Sequence, residues 1–188
     1  MSDKPRWPAT IARKVADKLA TELAPRCERI EIAGSLRRGK ADVGDIEILY
    51  IPKIGQVRMP GEPFPQTGSL TDELLNQWLA QRVLAKRLNI NGNAVWWGVQ
   101  NKFAVHVASG IPVDLFATTT ERWFVSLVIR TGSKEMYTTL ANSALRRGIQ
   151  LHSYGVLENA RTGEQIVPQS EREVFEQLGV PYREPAQR

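Results

Sequence analysis

GSLRRGKADVGDIEILYI, residues 34–51, joins an arginine-rich Gly-Ser turn to a strongly β-prone strand over residues 45–51. Asp45 and Glu47 are two residues apart in this strand, so both carboxylates leave the same face of the sheet. The alternation predicts an apolar face and an acidic face. The apolar face carries Ile46, Ile48 and Tyr50.

The acidic face and the turn before it suggest one kind of chemistry. Two neighbouring carboxylates repel each other, and a hard divalent cation such as Mg²⁺ relieves that repulsion while keeping sites for phosphate oxygens and water. The Gly34-Ser35 turn offers backbone N–H groups and a hydroxyl that can hold a triphosphate. Arg37 and Arg38 add fixed positive charge beside it. The pattern therefore favours a metal and nucleotide site.

A third carboxylate is available on another predicted strand. In residues 111–117, Val113 and Leu115 point toward the core, so Asp114 points to the opposite face. Taken singly, alternating carboxylates are typical of a solvated face and Gly-Ser is typical of an ordinary turn. Their ordered spacing and the third carboxylate favour the metal site instead. The competing acidic residues, on a loop and at a helix start, are Glu62, Asp72 and Glu73.

The remaining sequence is predicted to form short helices and strands in mixed order. This order predicts an α+β fold, one sheet backed by helices and followed by a smaller mixed lobe. The predicted elements are a helix at 9–24, a strand at 29–34, an irregular surface loop at 52–70, a helix from Thr71, strands at 94–108 and 111–117, helices at 121–129 and 134–147 around a turn at 131–133, short strands near 150–157 and 164–167, a helix at 170–177 and a polar tail.

Composition narrows the class of partner. The 188 residues suffice for one compact domain or two small lobes, and the net charge is +5. Arginine outnumbers lysine 17 to 8, and residues 1–60 carry 12 basic against 8 acidic side chains, which favours a polyanionic partner. The single cysteine excludes an intrachain disulfide and a multi-cysteine zinc site. The sequence contains no long apolar run and no secretory h-region, so we expect a cytoplasmic protein with no membrane partner. A nucleoid-associated or viral context is compatible with this expectation.

Three motifs resemble a known family. GSLRRG followed by GDIE resembles the nucleotidyltransferase superfamily signature. Two further features resemble the DNA polymerase X family. The first is Arg130-Thr131-Gly132-Ser133, which precedes a helix ending in ALRRG at 144–148; the second is the C-terminal pair of stretches SEREVF at 170–175 and YREP at 182–185. The resemblance spans about residues 29–188. It implies a nucleotidyltransferase palm at 1–119, with a mixed sheet backed by helices, and a small α/β thumb at 120–188.

The resemblance also implies roles for particular residues. The catalytic carboxylates would bind two Mg²⁺ ions, for which Mn²⁺ would substitute; they are Asp45, Glu47 and Asp114. The nucleotide-binding set would be Gly34, Ser35, Arg38, Gly44, Thr131, Gly132 and Ser133. The DNA-binding set would be Arg130, Lys134, Tyr137, Arg146 and Arg147. The chain departs from the best-known family member at several positions. Glu47 replaces Asp, Ile129 and Arg130 replace an aromatic pair, Tyr137 and Ala141 replace polar and basic contacts, and Pro112 replaces a basic residue.

The implied function is template-directed DNA polymerisation. We expect a monomeric enzyme that adds dNTPs to a primer 3′-OH on primer-template or gapped DNA, in short-gap DNA repair. Because only about 28 residues precede the first predicted strand, we expect no N-terminal lyase domain and no deoxyribose-phosphate lyase activity. Two alternatives are a nucleotidyltransferase acting on RNA, protein or a small molecule, and a DNA-binding module with a vestigial site.

Overall fold

The computed structural model describes residues 5–58, 63–89, 91–93 and 96–188. The N-terminal part of the chain alternates helices with strands. Its elements are β1 (Trp7–Pro8), α1 (Ala9–Leu23), β2 (Cys27–Ile32), α2 (Gly34–Arg37), β3 (Asp42–Val43), β4 (Ile46–Pro52), β5 (Ile54–Val57), β6 (Gln66–Ser69), α3 (Leu70–Ala80), β7 (Leu84–Lys86), β8 (Asn101–His106) and β9 (Pro112–Ala117).

A mixed central sheet organises this part. Its strand order is β2-β4-β9-β8-β7, in which β4 and β9 run parallel and the other pairs are antiparallel. Helices α1 and α3 contribute to one core with the sheet, since Leu19, Leu75 and Trp78 join Ile46 and Ile48 in a single buried cluster. The alternation in β4 thus buries its apolar face against helices, as predicted.

The C-terminal part begins with two helices and continues as a small antiparallel sheet. Its elements are α4 (Trp123–Thr131), α5 (Lys134–Arg146), β10 (Ile149–His152), β11 (Val156–Asn159), β12 (Gln165–Ile166) and α6 (Glu171–Gln177). The side chains of Ser133 and Ser170 cap α5 and α6 by accepting backbone N–H groups. This part has its own core, in which Leu140 and Phe175 are fully buried.

Helix α4 connects the two parts by covering the second face of the sheet. Leu49 and Phe116 of the central strands pack with Trp123 and Leu127 of α4 in one buried cluster. The two faces of β4 are therefore both covered near its carboxyl end. At its amino end, by contrast, the acidic side chains border an open cleft.

The α+β fold with a mixed sheet and a smaller C-terminal lobe is confirmed, but several local predictions are wrong. Within the irregular loop predicted at 52–70, residues 54–57 and 66–69 pair instead as an antiparallel hairpin, β5 with β6. Of the strand predicted at 94–108, only residues 101–106 form one, as β8. The helix predicted at 121–129 extends to Thr131. The polar tail after the last helix is packed at its end, where Arg188 is only 5% exposed. Two predictions fall outside the described residues. They concern Glu62, which competes for the role of third carboxylate, and residues 94–95, the start of the strand predicted at 94–108.

None of the helices among the described residues is long and apolar enough to cross a bilayer.

Candidate active site

The three predicted carboxylates lie at the amino ends of two parallel strands. Glu47 and Asp114 are direct neighbours in the register of β4 and β9, and Asp45 immediately precedes β4. Burial, and then the charges of Asp45 and Asp114, raise the pKa of Glu47 to about 8. Burial also raises the pKa of Asp114 to about 6, against the opposing charge of Arg87. The structure therefore brings the three acidic groups into one electrostatic cluster.

Gly34 makes room for one of these carboxylates. Its φ is +62°, and a Cβ at this position would overlap with Oε2 of Glu47. Gly39, at the other end of the same turn, also has a positive φ of +68° but has open space around it. Gly34 is thus required both by the backbone and by the acidic side chain beneath it.

The predicted phosphate-binding turn folds as the short helix α2. Oγ of Ser35 and Nε of Arg38 are buried without a hydrogen-bond partner in the part of the chain that the structure describes. Buried polar atoms are normally paired, so these two atoms of one turn retain hydrogen-bonding capacity that the described residues do not use. This observation is independent of the sequence motif and supports the same phosphate-binding role.

The turn predicted at 131–133 meets this phosphate turn. Arg38 Nη1 donates to the backbone oxygen of Thr131 at 2.6 Å, and Arg37 Nη1 donates to Thr131 Oγ1 at 2.9 Å. Gly132 ends α4 and Ser133 begins α5. Six of the seven residues predicted to bind nucleotide therefore lie on two turns, one from each part of the chain, and these turns are hydrogen-bonded to each other. The seventh, Gly44, lies beside Asp45 in the sequence.

A buried ion-pair network holds these turns together. Glu171 Oε1 lies 2.6 Å from Arg37 Nη1, and Glu171 Oε2 lies 2.6 Å from Arg188 Nη2. The Arg188 side chain is fully buried and its guanidinium stacks on Phe175. One carboxylate thus bridges the phosphate turn to the last residue of the chain.

Arg130 lies beside the carboxylates and not on the outer surface. Its guanidinium sits 3.7 Å from the centre of the Phe116 ring and donates to the backbone oxygen of Ser153. Burial lowers the pKa of Arg130, while the charges of Glu47 and Asp114 oppose that shift. This residue therefore balances part of the acidic charge of the cluster.

Sequence reasoning missed a second cation at the site. Arg87, directly after β7, places Nη1 2.9 Å from Oδ1 of Asp114. Both side chains line an open cleft of about 700 Å³ together with Asp45 and with Trp7 from the N-terminal strand β1. Strands β1 and β7 are two and three residues long, too short for a local pattern to show. Their contribution depends on long-range pairing with β3 and β8.

With this geometry in place, comparison with family models is decisive. The model described as DNA polymerase beta palm matches residues 4–116, and the model described as DNA polymerase beta thumb matches residues 126–188. The chain belongs to the DNA polymerase beta family. It is a polymerase X-like nucleotidyltransferase with a palm and a thumb, and these parts imply DNA binding. A search of curated proteins found no match.

The predicted DNA-binding residues of the thumb fall into two environments. Lys134 and Arg146 are exposed at the two ends of α5, and Tyr137 is half-buried on the first turn. Arg147 instead donates its Nε to the backbone oxygen of Gln177 at 3.1 Å. All three cations are exposed and available to a polyanion, and Arg147 is in addition hydrogen-bonded within the thumb.

The carboxylates have the donor chemistry that Mg²⁺ requires. They offer hard oxygen atoms, and burial, followed by repulsion from Asp45 and Asp114, raises the pKa of Glu47. Oδ1 of Asp114 is buried and lies 2.9 Å from Nη1 of Arg87. Across the described residues, no three His, Cys, Asp or Glu side chains already converge as a metal-binding group. The residues fit the ion chemically, and one oxygen of Asp114, Oδ1, is already engaged by Arg87.

Proposed function

We propose that this nucleotidyltransferase is a template-directed DNA polymerase that adds dNTPs to a primer 3′-OH, acting at short gaps in DNA repair. One observation carries the proposal: Glu47 and Asp114 stand side by side on parallel strands, with Asp45 before the first strand. The phosphate turn adjoins them through Gly34. The palm and thumb matches support an acceptor that is DNA.

The chain's own residues supply distinct parts of the reaction. The primer 3′-oxygen attacks the α-phosphorus of the dNTP, the bond to the β-phosphate breaks, and pyrophosphate leaves. We expect Asp114, beside the 3′-hydroxyl, to help lower the pKa of that hydroxyl or to accept its proton. The orphan Ser35 hydroxyl and the Arg38 guanidinium bind the triphosphate.

Mg²⁺, held by Asp45, Glu47 and Asp114, would supply the positive charge that lowers the pKa of the 3′-hydroxyl and stabilises the leaving pyrophosphate. Mn²⁺ has similar ligand preferences and would substitute. The Thr131-Gly132-Ser133 turn supports the sugar of the incoming nucleotide. Because this turn is hydrogen-bonded to the phosphate turn, the sugar and the triphosphate are positioned together.

We propose that the palm comprises residues 1–119 and the thumb residues 120–188. Helix α5 of the thumb lies along the DNA, with Lys134, Tyr137 and Arg146 as contacts. Arg147 contributes by fixing the end of α5 to the segment after α6. The proposed enzyme works as a monomer.

A primer-extension assay tests the function. Gapped, nicked and single-stranded DNA are compared with dNTPs and Mg²⁺ or Mn²⁺, for wild type, Asp45→Asn, Asp114→Asn and the control Asp17→Asn. Asp17 is an exposed residue of α1 that pairs with Arg13 across one helical turn. We expect extension by wild type and the control, and a loss of about 100-fold or more in the two site variants, because even indirect partners of metal ligands cost 10–100-fold.

The two alternatives give different results in the same experiment. Nucleotide transfer to RNA or a small molecule, with no extension of any DNA primer, would identify a different acceptor. DNA binding with no transfer to any acceptor would identify a binding module. Extension at wild-type rate by Asp45→Asn and Asp114→Asn would refute the assignment of the carboxylates.

A further inference from the structure

The ion pair between Arg87 and Asp114 joins two strands that are not neighbours in the sheet. The backbone N–H of Arg87 donates to the backbone oxygen of Phe103 at 2.9 Å, and Phe103 is the register partner of Asp114. The guanidinium then crosses the Phe103 ring, 4.7 Å from its centre, to reach Asp114 Oδ1 at 2.9 Å. The side chain of Arg87 is therefore directed by its backbone and by an aromatic surface toward the carboxylate.

The two partners differ in their access to solvent. The Arg87 side chain is 29% exposed, whereas that of Asp114 is 13% exposed. Arg87 lines the open cleft beside Asp45, so a solute that enters the cleft meets the guanidinium first. An arginine in this position can turn to an incoming anion while its backbone stays in place.

We propose that Arg87 is a switching residue of the palm, which exchanges Asp114 for a phosphate of the primer strand and thereby couples DNA binding to Mg²⁺ binding. The proposal rests on the proposed function, because it takes the acceptor in the cleft to be the 3′ end of a DNA strand. It concerns a residue that neither the sequence motifs nor the family resemblance singled out.

Charge balance supplies the reason for the coupling. In the free protein, the guanidinium neutralises Asp114 and competes with a divalent cation for the same oxygen. When the 3′-hydroxyl lies at Asp114, the phosphate of that same nucleotide is the nearest new anion, and the planar guanidinium binds phosphate as well as carboxylate. Arg87 would leave Asp114 for that phosphate, and the freed carboxylate of Asp114 would then be able to hold Mg²⁺. By linkage, each ligand then strengthens the binding of the other.

Binding measurements without dNTP test the exchange, because no chemistry can occur. Mg²⁺ binding to the DNA-free protein is measured by thermal shift, and binding to a labelled gapped duplex is measured by anisotropy with Mg²⁺ or EDTA at constant ionic strength. The variants are Arg87→Gln and Arg87→Lys. The control is Arg82→Gln, which removes an equal charge from an exposed position just after α3.

In wild type, Arg82→Gln and Arg87→Lys, we expect Mg²⁺ to tighten DNA binding by about fivefold or more, the lower end of typical coupling. In Arg87→Gln, we expect the DNA-free protein to bind Mg²⁺ more tightly by a similar factor, and the effect of Mg²⁺ on DNA affinity to disappear. Arg87→Gln with wild-type Mg²⁺ affinity and intact coupling would overturn the exchange and leave a static ion pair.

Failure of the inference and failure of the function are distinguishable. Wild-type primer extension together with unaltered coupling in Arg87→Gln would refute only the switching role. Loss of coupling in Arg87→Gln, with no extension by wild type, would refute only the polymerase activity. If Arg87→Gln fails to fold, Arg87→Met takes its place in both measurements: lost coupling supports the exchange, and coupling retained at the wild-type level overturns it.

Discussion

Replacement of Gly34 by alanine tests the contact between the phosphate turn and the acidic cluster. A non-glycine residue at φ +62° adopts the left-handed region, which costs about 1–2 kcal/mol. The new Cβ would also overlap with Oε2 of Glu47, and crowding of this kind costs about 1–3 kcal/mol. The free energy of unfolding should therefore fall by about 2–5 kcal/mol, the sum of these two costs.

Gly39→Ala is the matched control for this substitution. Gly39 lies in the same turn with a similar φ of +68°, but a Cβ there meets nothing within 4 Å. It should therefore show the backbone cost alone, about 1–2 kcal/mol, which corresponds to a Tm lowered by about 2–8 °C in a chain of this size. The difference between the two variants isolates the overlap with Glu47.

Urea denaturation and primer extension on gapped DNA are measured for both variants. If Glu47 stays in place, Gly34→Ala loses more stability than Gly39→Ala. If Glu47 swings away, the stability loss shrinks, but extension falls steeply because a proposed metal ligand has moved. A Gly34→Ala protein that matches Gly39→Ala in both stability and extension would refute the contact and its role.

Three further outcomes follow from the site. Since burial and neighbouring carboxylates raise the pKa of Glu47 from 4.5 to about 8, the metal-free protein should lose up to about 1.4 kcal/mol of stability per pH unit as pH rises through this window, and stabilisation by Mg²⁺ in thermal melts should grow over the same window. Glu171→Gln leaves Arg37 and Arg188 without their shared carboxylate and should cost about 3–5 kcal/mol in urea denaturation. Arg146→Ala removes an exposed thumb charge and should lower the log–log salt slope of binding to gapped duplex by about 0.9, measured over a salt series.

The strands and helices with strong local periodicity could be predicted from the sequence. Residues 45–51 fold as β4 and residues 134–147 as α5, each within a residue or two of the predicted bounds. Burial of Val113 and Leu115, which orients Asp114 to the other face, also follows the prediction. In β4 the pattern identifies the face that packs against α1 and α3, but the burial of Leu49 and Ile51 on the other face depends on α4.

Elements that depend on a distant partner could not be predicted in this way. The hairpin of β5 and β6 contains Gly55 and Gly68, residues that weaken an isolated strand, and forms through pairing between the two segments. The position of Arg87 depends on the pairing of β7 with β8. The burial of Arg188 depends on Glu171, 17 residues earlier. No local pattern carries these contacts, because each requires the folded chain.

The arginines of the site balance the negative charge of the three carboxylates. Three carboxylates close together in a partly buried site destabilise a fold unless cations balance them. In this chain, Arg87 pairs with Asp114, and the charges of Arg130 and Arg38 oppose the raised pKa of Glu47. These same guanidinium groups are the ones that can bind phosphates of DNA or of a triphosphate. The arginines that balance the carboxylates in the absence of substrate are therefore the ones that would bind phosphate when substrate and metal enter. Binding should thus redistribute charge within the site without requiring a new fold.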